Sequence, residues 1–227
     1  MLRKYIDYIQ PQRNIECCTA CATLLAAEIT MAVAGRRLRF SRLYLYYMTR
    51  SMQNTLGIKG AKLKSTLDAL SKYGVALEKN WGFMIHKENI EPPKQVIEEA
   101  IRHRLESYKE ISHHQYKEYL DQYIPIIVGI QTGKLFWELA GPLEEQQYKP
   151  INGSDNKQTT GHAITIVGYN NEINGGSWII ANSLGPKWGH KGYAAIPYTC
   201  NQDIGESYII NSFAGISAGK KFQRFDK

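Results

Sequence analysis

The sequence predicts an α+β fold of two lobes, a mainly helical first half followed by a mainly β second half. Two observations carry this. From Cys18 to Tyr73 the chain holds three stretches that are Ala-rich or apolar at helical spacing, and from Ile124 onward β-branched runs bounded by glycines take over. At 227 residues the chain is long enough for one large domain or two small lobes sharing a cleft.

Taken in order, Cys18 to Val33 reads as the first helix, free of Gly and Pro and with Leu24, Leu25, Ile29 and Met31 among its apolar positions. Ser41 to Met52 reads as a second. Ala61 to Tyr73 reads as a third, with Leu63, Leu67 and Leu70 in register and Gly74 where a C-terminal cap belongs. Pro92 and Pro93 start a helix through Gln95 to His103, and Tyr108 to Tyr123, with His113 and His114, reads as a charged, partly helical surface. Ile124 to Ile130 reads as a buried strand and Gly141 to Thr160 as a polar loop. Ala163 to Tyr169 and Ser177 to Ala181 read as two strands paired across a turn at Gly175 and Gly176. Gly192 to Pro197 and Ser207 to Asn211 supply further strands. The expected division is a helical lobe over 1–105 and a β lobe over 106–227, together one catalytic domain.

Composition excludes several classes of protein. The 43% hydrophobic and 22% charged content is that of a globular chain, and no apolar run approaches the roughly 20 residues that span a bilayer. No apolar stretch follows the basic start at Arg3 and Lys4, so no secretory signal is expected, and the protein is expected in the cytoplasm or exported by another route. Part of the net charge of +7 lies in the run from Arg36 to Arg42 and part from Lys220 to Lys227. With no nucleic-acid fold signature beside it, the charge reads as a solvated basic face, and no nucleic-acid partner is expected. Cys17, Cys18 and Cys21 crowd into five residues, with Cys200 far away. That is neither a disulfide framework nor a zinc site, since no second Cys pair or nearby His pair completes four ligands. No metal or other cofactor is expected.

A thiol hydrolase needs a thiolate, a base, a group that orients the base, and donors for an oxyanion. Cys18 opens the first predicted helix, where unpaired N–H groups and the helix dipole favour a negative sulfur. His162 begins a strand after a polar loop. Asn182 ends the next strand, where antiparallel pairing would bring its side chain to the imidazole and fix the tautomer. Taken singly, each also has an ordinary reading as a buried thiol, a core histidine or a turn asparagine.

Longer segments decide between these readings. Gly161 to Tyr169 (GHAITIVGY) resembles the segment that carries the catalytic His of papain-like cysteine peptidases. Trp178 to Tyr193 (WIIANSLGPKWGHKGY) resembles that family's Asn segment, N-S-W-G-x-x-W-G-x-x-G-Y. Ser41 to Arg50, Leu63 to Trp81 and the strand from Ile124 are similar to bacterial members. The resemblance covers most of the chain and is weakest over 85–121 and 141–160. It implies the papain-like fold, a helical lobe and a β-barrel-like lobe with the active site between them.

It also implies a Cys-His-Asn triad of Cys18, His162 and Asn182 acting on a protein or peptide through an acyl-enzyme. In the family pattern Q-x5-C-x-A, the Gln donates to the oxyanion. Gln12, Cys18 and Ala20 meet that spacing, whereas counting back from Cys17 or Cys21 meets Pro11 or Ile15. Glu16 to Ala20 also resembles the nucleophile segment of peptidases that trim bacteriocin leaders, which leaves Cys17 as an alternative. Trp188 matches the second Trp of the Asn segment. Leu184 stands where the family places a Trp over the His–Asn hydrogen bond, so weaker shielding is expected there. The family's usual disulfide partner would fall at Ile15, so that bridge is absent. No stretch before residue 12 is long enough for the inhibitory propeptide common in secreted relatives, so control is expected from elsewhere, such as a proteinaceous inhibitor or regulator, or the sequence is the mature portion only. The same apparatus serves deamidation or acyl transfer, and a silent binding module is the other alternative.

Overall fold

In the computed structural model, which describes residues 1–146, 148 and 159–219, helices and an antiparallel sheet enclose two hydrophobic cores. Helix α1 spans Cys18–Val33 and is buried on nearly all sides, because its Ala, Leu, Ile and Met residues leave it no polar face. It ends at Gly35, whose φ of 80° carries the chain out of the helix. Helix α2, Arg42–Met52, is capped by Ser41, whose hydroxyl accepts the Tyr44 N–H at 3.1 Å. Helix α3, Leu63–Tyr73, stops at Gly74. There φ is +69°, and a Cβ would lie 2.0 Å from the Ala100 carbonyl oxygen, so only glycine fits. Helix α4, Lys94–Ala100, follows Pro93.

The strands are β1 (Leu105–Glu110), β2 (Ile126–Thr132), β3 (Thr160–Asn170), β4 (Ser177–Ala181), β5 (Tyr193–Pro197), β6 (Ile204–Phe213) and β7 (Ile216–Ser217). Between them lie the short helices α5 (Tyr116–Asp121) and α6 (Lys134–Trp137). All pairings are antiparallel, in the order β1-β6-β2-β3-β4-β5, with β7 beside β6. One core gathers the inner faces of β2 to β5 with Phe136, Trp178 and Trp188. The other gathers α1, α2 and α3 with Ile127, Tyr208 and Ile210. Helix α1 enters both, through Ile29 and Val33 on one side and Leu24, Ala27 and Met31 on the other.

The structure corrects the sequence reading in four places. Leu105–Glu110 is a strand, so Tyr108 to Glu110 are not helical. This strand at the sheet's edge (LESYKE) has one fully buried side chain, and its charges hide the alternation. The helix after Pro93 ends at Ala100, where its carbonyl accepts the Val75 N–H at 3.1 Å. The basic run is not wholly solvated. Arg36, Arg37 and Arg39 are exposed, but Arg42 is buried and donates to the Pro11 carbonyl. Of the loop from Gly141 to Thr160, Leu143–Glu145 forms one 3-10 turn and Thr160 belongs to β3. Residues 147 and 149–158, like the basic stretch 220–227, lie outside the described residues.

Candidate active site

Cys18 is the first residue of α1, and its N–H is among those with no partner inside the helix. The helix start is packed against β3, where Thr165 donates to the Ala22 carbonyl at 3.0 Å, and against α3, where Thr66 donates to Thr19 at 3.0 Å. These contacts set Cys18 beside the β3 backbone N–H of Ala163, and both residues line the same cleft. Burial pushes the Cys18 thiol up to about 11, against the opposing pull of that N–H.

His162 lies on β3 one residue before Ala163, opposite Ile130 of β2. Asn182 follows β4 directly, and β4 is registered on β3 with Thr165 opposite Ala181. That register sets His162 Nε2 at 2.8 Å from Asn182 Oδ1. The same oxygen accepts the Ser183 N–H at 2.8 Å, which fixes the carboxamide and so the imidazole plane. Nε2 therefore carries the proton toward Asn182, and Nδ1 is the ring nitrogen Asn182 does not engage. Burial holds His162 below the usual histidine value, opposed by the Asn182 hydrogen bond.

Gln12 is held at both ends. Its N–H donates to the Ser183 carbonyl at 2.7 Å, and its Oε1 accepts from the Ser183 hydroxyl at 2.5 Å. Nε2 donates one hydrogen to the Ile15 carbonyl at 3.1 Å and keeps a second. The segment before α1 is thus pinned to the residue after Asn182.

Cys18 and His162 line one open cleft of about 460 Å³, together with Thr19, Lys62, Gln131 and Glu206. The other two thiols of the cluster are turned away from that cleft. Cys17 is fully buried, and Cys21 lies behind the helix start with its sulfur 3.7 Å from that of Cys17. The described residues include no group of three or more His, Cys, Asp or Glu able to hold a metal ion.

Shielding of the imidazole comes from residues the sequence reading missed. Leu184 packs against the β-side core, but it is two aromatic residues of α6 that stand over His162. The Trp137 ring lies 5.1 Å from the imidazole centroid and Phe136 lies 5.7 Å away, edge-on. Trp188 supports Phe136 at 5.2 Å and donates its indole N–H to the Phe136 carbonyl at 3.1 Å. The adjacent aromatic pair after Gly133 was the available signal, but nothing in its spacing tied it to His162.

Comparison with known proteins bears on the family and the fold. A family model described as papain family cysteine protease matches residues 2–212. An uncharacterized peptidase C1-like protein of Acanthamoeba polyphaga mimivirus is 28% identical over 215 residues, covering 87% of this chain and 68% of the relative. A viral cathepsin of Epiphyas postvittana nucleopolyhedrovirus is 28% identical over 199 residues, covering 86% of this chain but 57% of its own length. Among solved structures, the cysteine protease xylellain from Xylella fastidiosa superposes with a TM-score of 0.78 at 23% identity, covering 89% of this chain and 82% of that one. Bromelain from Ananas comosus, solved with the E64 inhibitor, gives 0.71 at 19% identity, covering 91% and 95%.

Proposed function

This chain belongs to the papain family of cysteine proteases, and from that membership we propose that it cleaves peptide bonds with Cys18 as nucleophile, His162 as base and acid, Asn182 as orienting group and Gln12 as oxyanion donor. His162 Nδ1 takes the Cys18 proton as the sulfur attacks the carbonyl. Negative charge on the carbonyl oxygen is met by the Cys18 N–H and the second Gln12 Nε2 hydrogen. The imidazolium then protonates the leaving amine, and water, deprotonated by His162, releases the acyl group from Cys18.

The observation that carries this reading is that base and nucleophile share one cleft: His162 holds Asn182 at 2.8 Å, and His162 and its neighbour Ala163 line the open cleft together with Cys18. Cys17 and Cys21 have no such access to the cleft. Side-chain deamidation and acyl transfer use the same four residues with another substrate, and family membership favours the main-chain amide. All four positions hold competent residues, which argues against a silent binding module.

The test is an acyl-enzyme trap. Wild type mixed with an activated peptide ester should carry one acyl group on Cys18 by peptide mass mapping, and Cys18→Ala should carry none. An acyl group on Cys17 or Cys21 would overturn the assignment.

A further inference from the structure

We infer that Cys17 and Cys21 form a dithiol that hydrogen peroxide oxidises to a disulfide through a narrow chamber behind the helix start. The two sulfurs are already in contact at 3.7 Å. On a helix, residues four apart have Cα atoms about 6 Å apart, inside the roughly 4.4–6.8 Å span that a disulfide bridges. Cys17 is the N-cap residue: its carbonyl accepts the Cys21 N–H at 3.0 Å, which holds the two residues on one face of the helix start, and its own N–H bonds the Ile15 carbonyl at 2.9 Å outside the helix. Neither thiol has a part in the proposed peptide hydrolysis.

The chamber supplies what the chemistry needs. It measures about 30 Å³, room for a water-sized molecule, and is lined by Cys21, Glu28, Arg42, Gln10 and Asn182 among others. Three polar atoms of its walls have no partner: Gln10 Oε1, Arg42 Nε and Asn182 Nδ2. Arg42 and Asn182 are both more than nine-tenths buried, so these atoms call for a small polar guest. The Cys17 thiol and the Arg42 charge lower the Cys21 pKa against the pull of burial and so favour its thiolate. Glu28 is held up to about 7 by burial and so can exchange a proton near neutrality.

The steps balance. The Cys21 thiolate attacks one peroxide oxygen, the O–O bond breaks, and the departing hydroxide takes a proton from Glu28 to leave as water. Cys17 then attacks the Cys21 sulfenic sulfur, the S–O bond breaks, and the hydroxyl leaves as a second water with the proton of the Cys17 thiol. Glu28 is reprotonated when the next Cys21 thiol ionises. In sum, two thiols and one peroxide give one disulfide and two waters.

Bridging has a consequence for the cleft. Helical neighbours hold their Cβ atoms roughly 5–6 Å apart, whereas a disulfide needs about 3.8 Å. Closing that gap draws Cys17 inward and displaces the amide and sulfur of Cys18. A displacement of about 1 Å there can cost 10²-fold in reactivity.

The test uses Cys18→Ala first, so that no other cleft thiol is oxidised. Hydrogen peroxide should remove two hydrogens from the intact mass, peptide mapping should join Cys17 to Cys21, and dithiothreitol should reverse it. Thiols that remain alkylatable, or oxygen added to Cys21 without a bridge, would overturn the inference. So would an equal loss of two hydrogens when Cys17→Ala or Cys17→Ser is added. In the second arm, oxidised wild type should lose epoxide labelling of Cys18 about 10²-fold while Cys17→Ala retains it. Equal loss in both proteins would refute the coupling to the cleft.

Discussion

The imidazole Nε2 of His162 and the carboxamide Oδ1 of Asn182 meet at 2.8 Å, set by the register of β3 on β4. Because the same oxygen is also held by the Ser183 N–H, the acceptor is fixed before any substrate arrives. Asn182→Ala removes an acceptor that stabilises the imidazolium, an interaction of about 1.5–3 kcal/mol. The expected loss in kcat is therefore on the order of 10- to 150-fold with KM little changed. Steady-state kinetics on a peptide substrate check this, and a pure KM effect would contradict an orienting role.

Trp137 is expected to matter more than Leu184. Its ring covers His162 at 5.1 Å while remaining 37% exposed, so its removal admits water to the imidazole with little loss of core. An aromatic contact of this kind is worth about 0.5–1.5 kcal/mol, so Trp137→Ala should lower kcat/KM about 2- to 10-fold. NMR titration of His162 should show its pKa rising toward 6.5. An unmoved pKa would show that Trp137 does not shield the ring.

Acid inactivation follows from the same burial. Neutral His162 is the form that accepts the Cys18 proton, and burial holds its pKa below 6.5. The acid limb of kcat/KM is thus expected below 6.5, not at it. Stability follows the same sign. The unfolded chain binds the extra proton first, so the contribution of neutral His162 is present above 6.5 and is lost as pH falls through the native pKa. Activity and chemical denaturation measured across this window check both, and an acid limb above 6.5 would contradict them.

Glu28 works in the opposite direction. Burial raises its pKa from 4.5 to about 7, although the Phe40 N–H and Arg42 oppose the rise. The native state therefore holds the proton more tightly, and stability falls as pH climbs from 4.5 through 7. Glu28→Gln keeps an acceptor for the Phe40 N–H and removes the charge. It should match wild type near pH 4 and gain stability above pH 7, by at most about 3 kcal/mol. Urea denaturation at the two pH values is the check.

Much of this site was legible in the sequence because its chemistry lies in short, contiguous segments. His162 and Asn182 each sit at the end of a β-branched run, and antiparallel pairing of those runs brings the two together. The helix stop at Gly74 was legible for a local reason, the positive φ that only glycine takes freely. What was not legible depends on distant packing. The shielding of His162 by Phe136 and Trp137 reflects how α6 folds back over β3, which no periodicity encodes. Strand β1 was missed because its partner β6 lies about a hundred residues later and its exposed face carries charge. The Cys17–Cys21 contact was visible only as spacing until the sulfurs were seen to face each other.

The assignment of Cys18 is tested most directly by labelling with an epoxide that alkylates active-site thiols, read by peptide mass mapping. Wild type should carry one label on Cys18, and a folded Cys18→Ala should carry none. Equal labelling of both, with the label on Cys17 or Cys21, would contradict it.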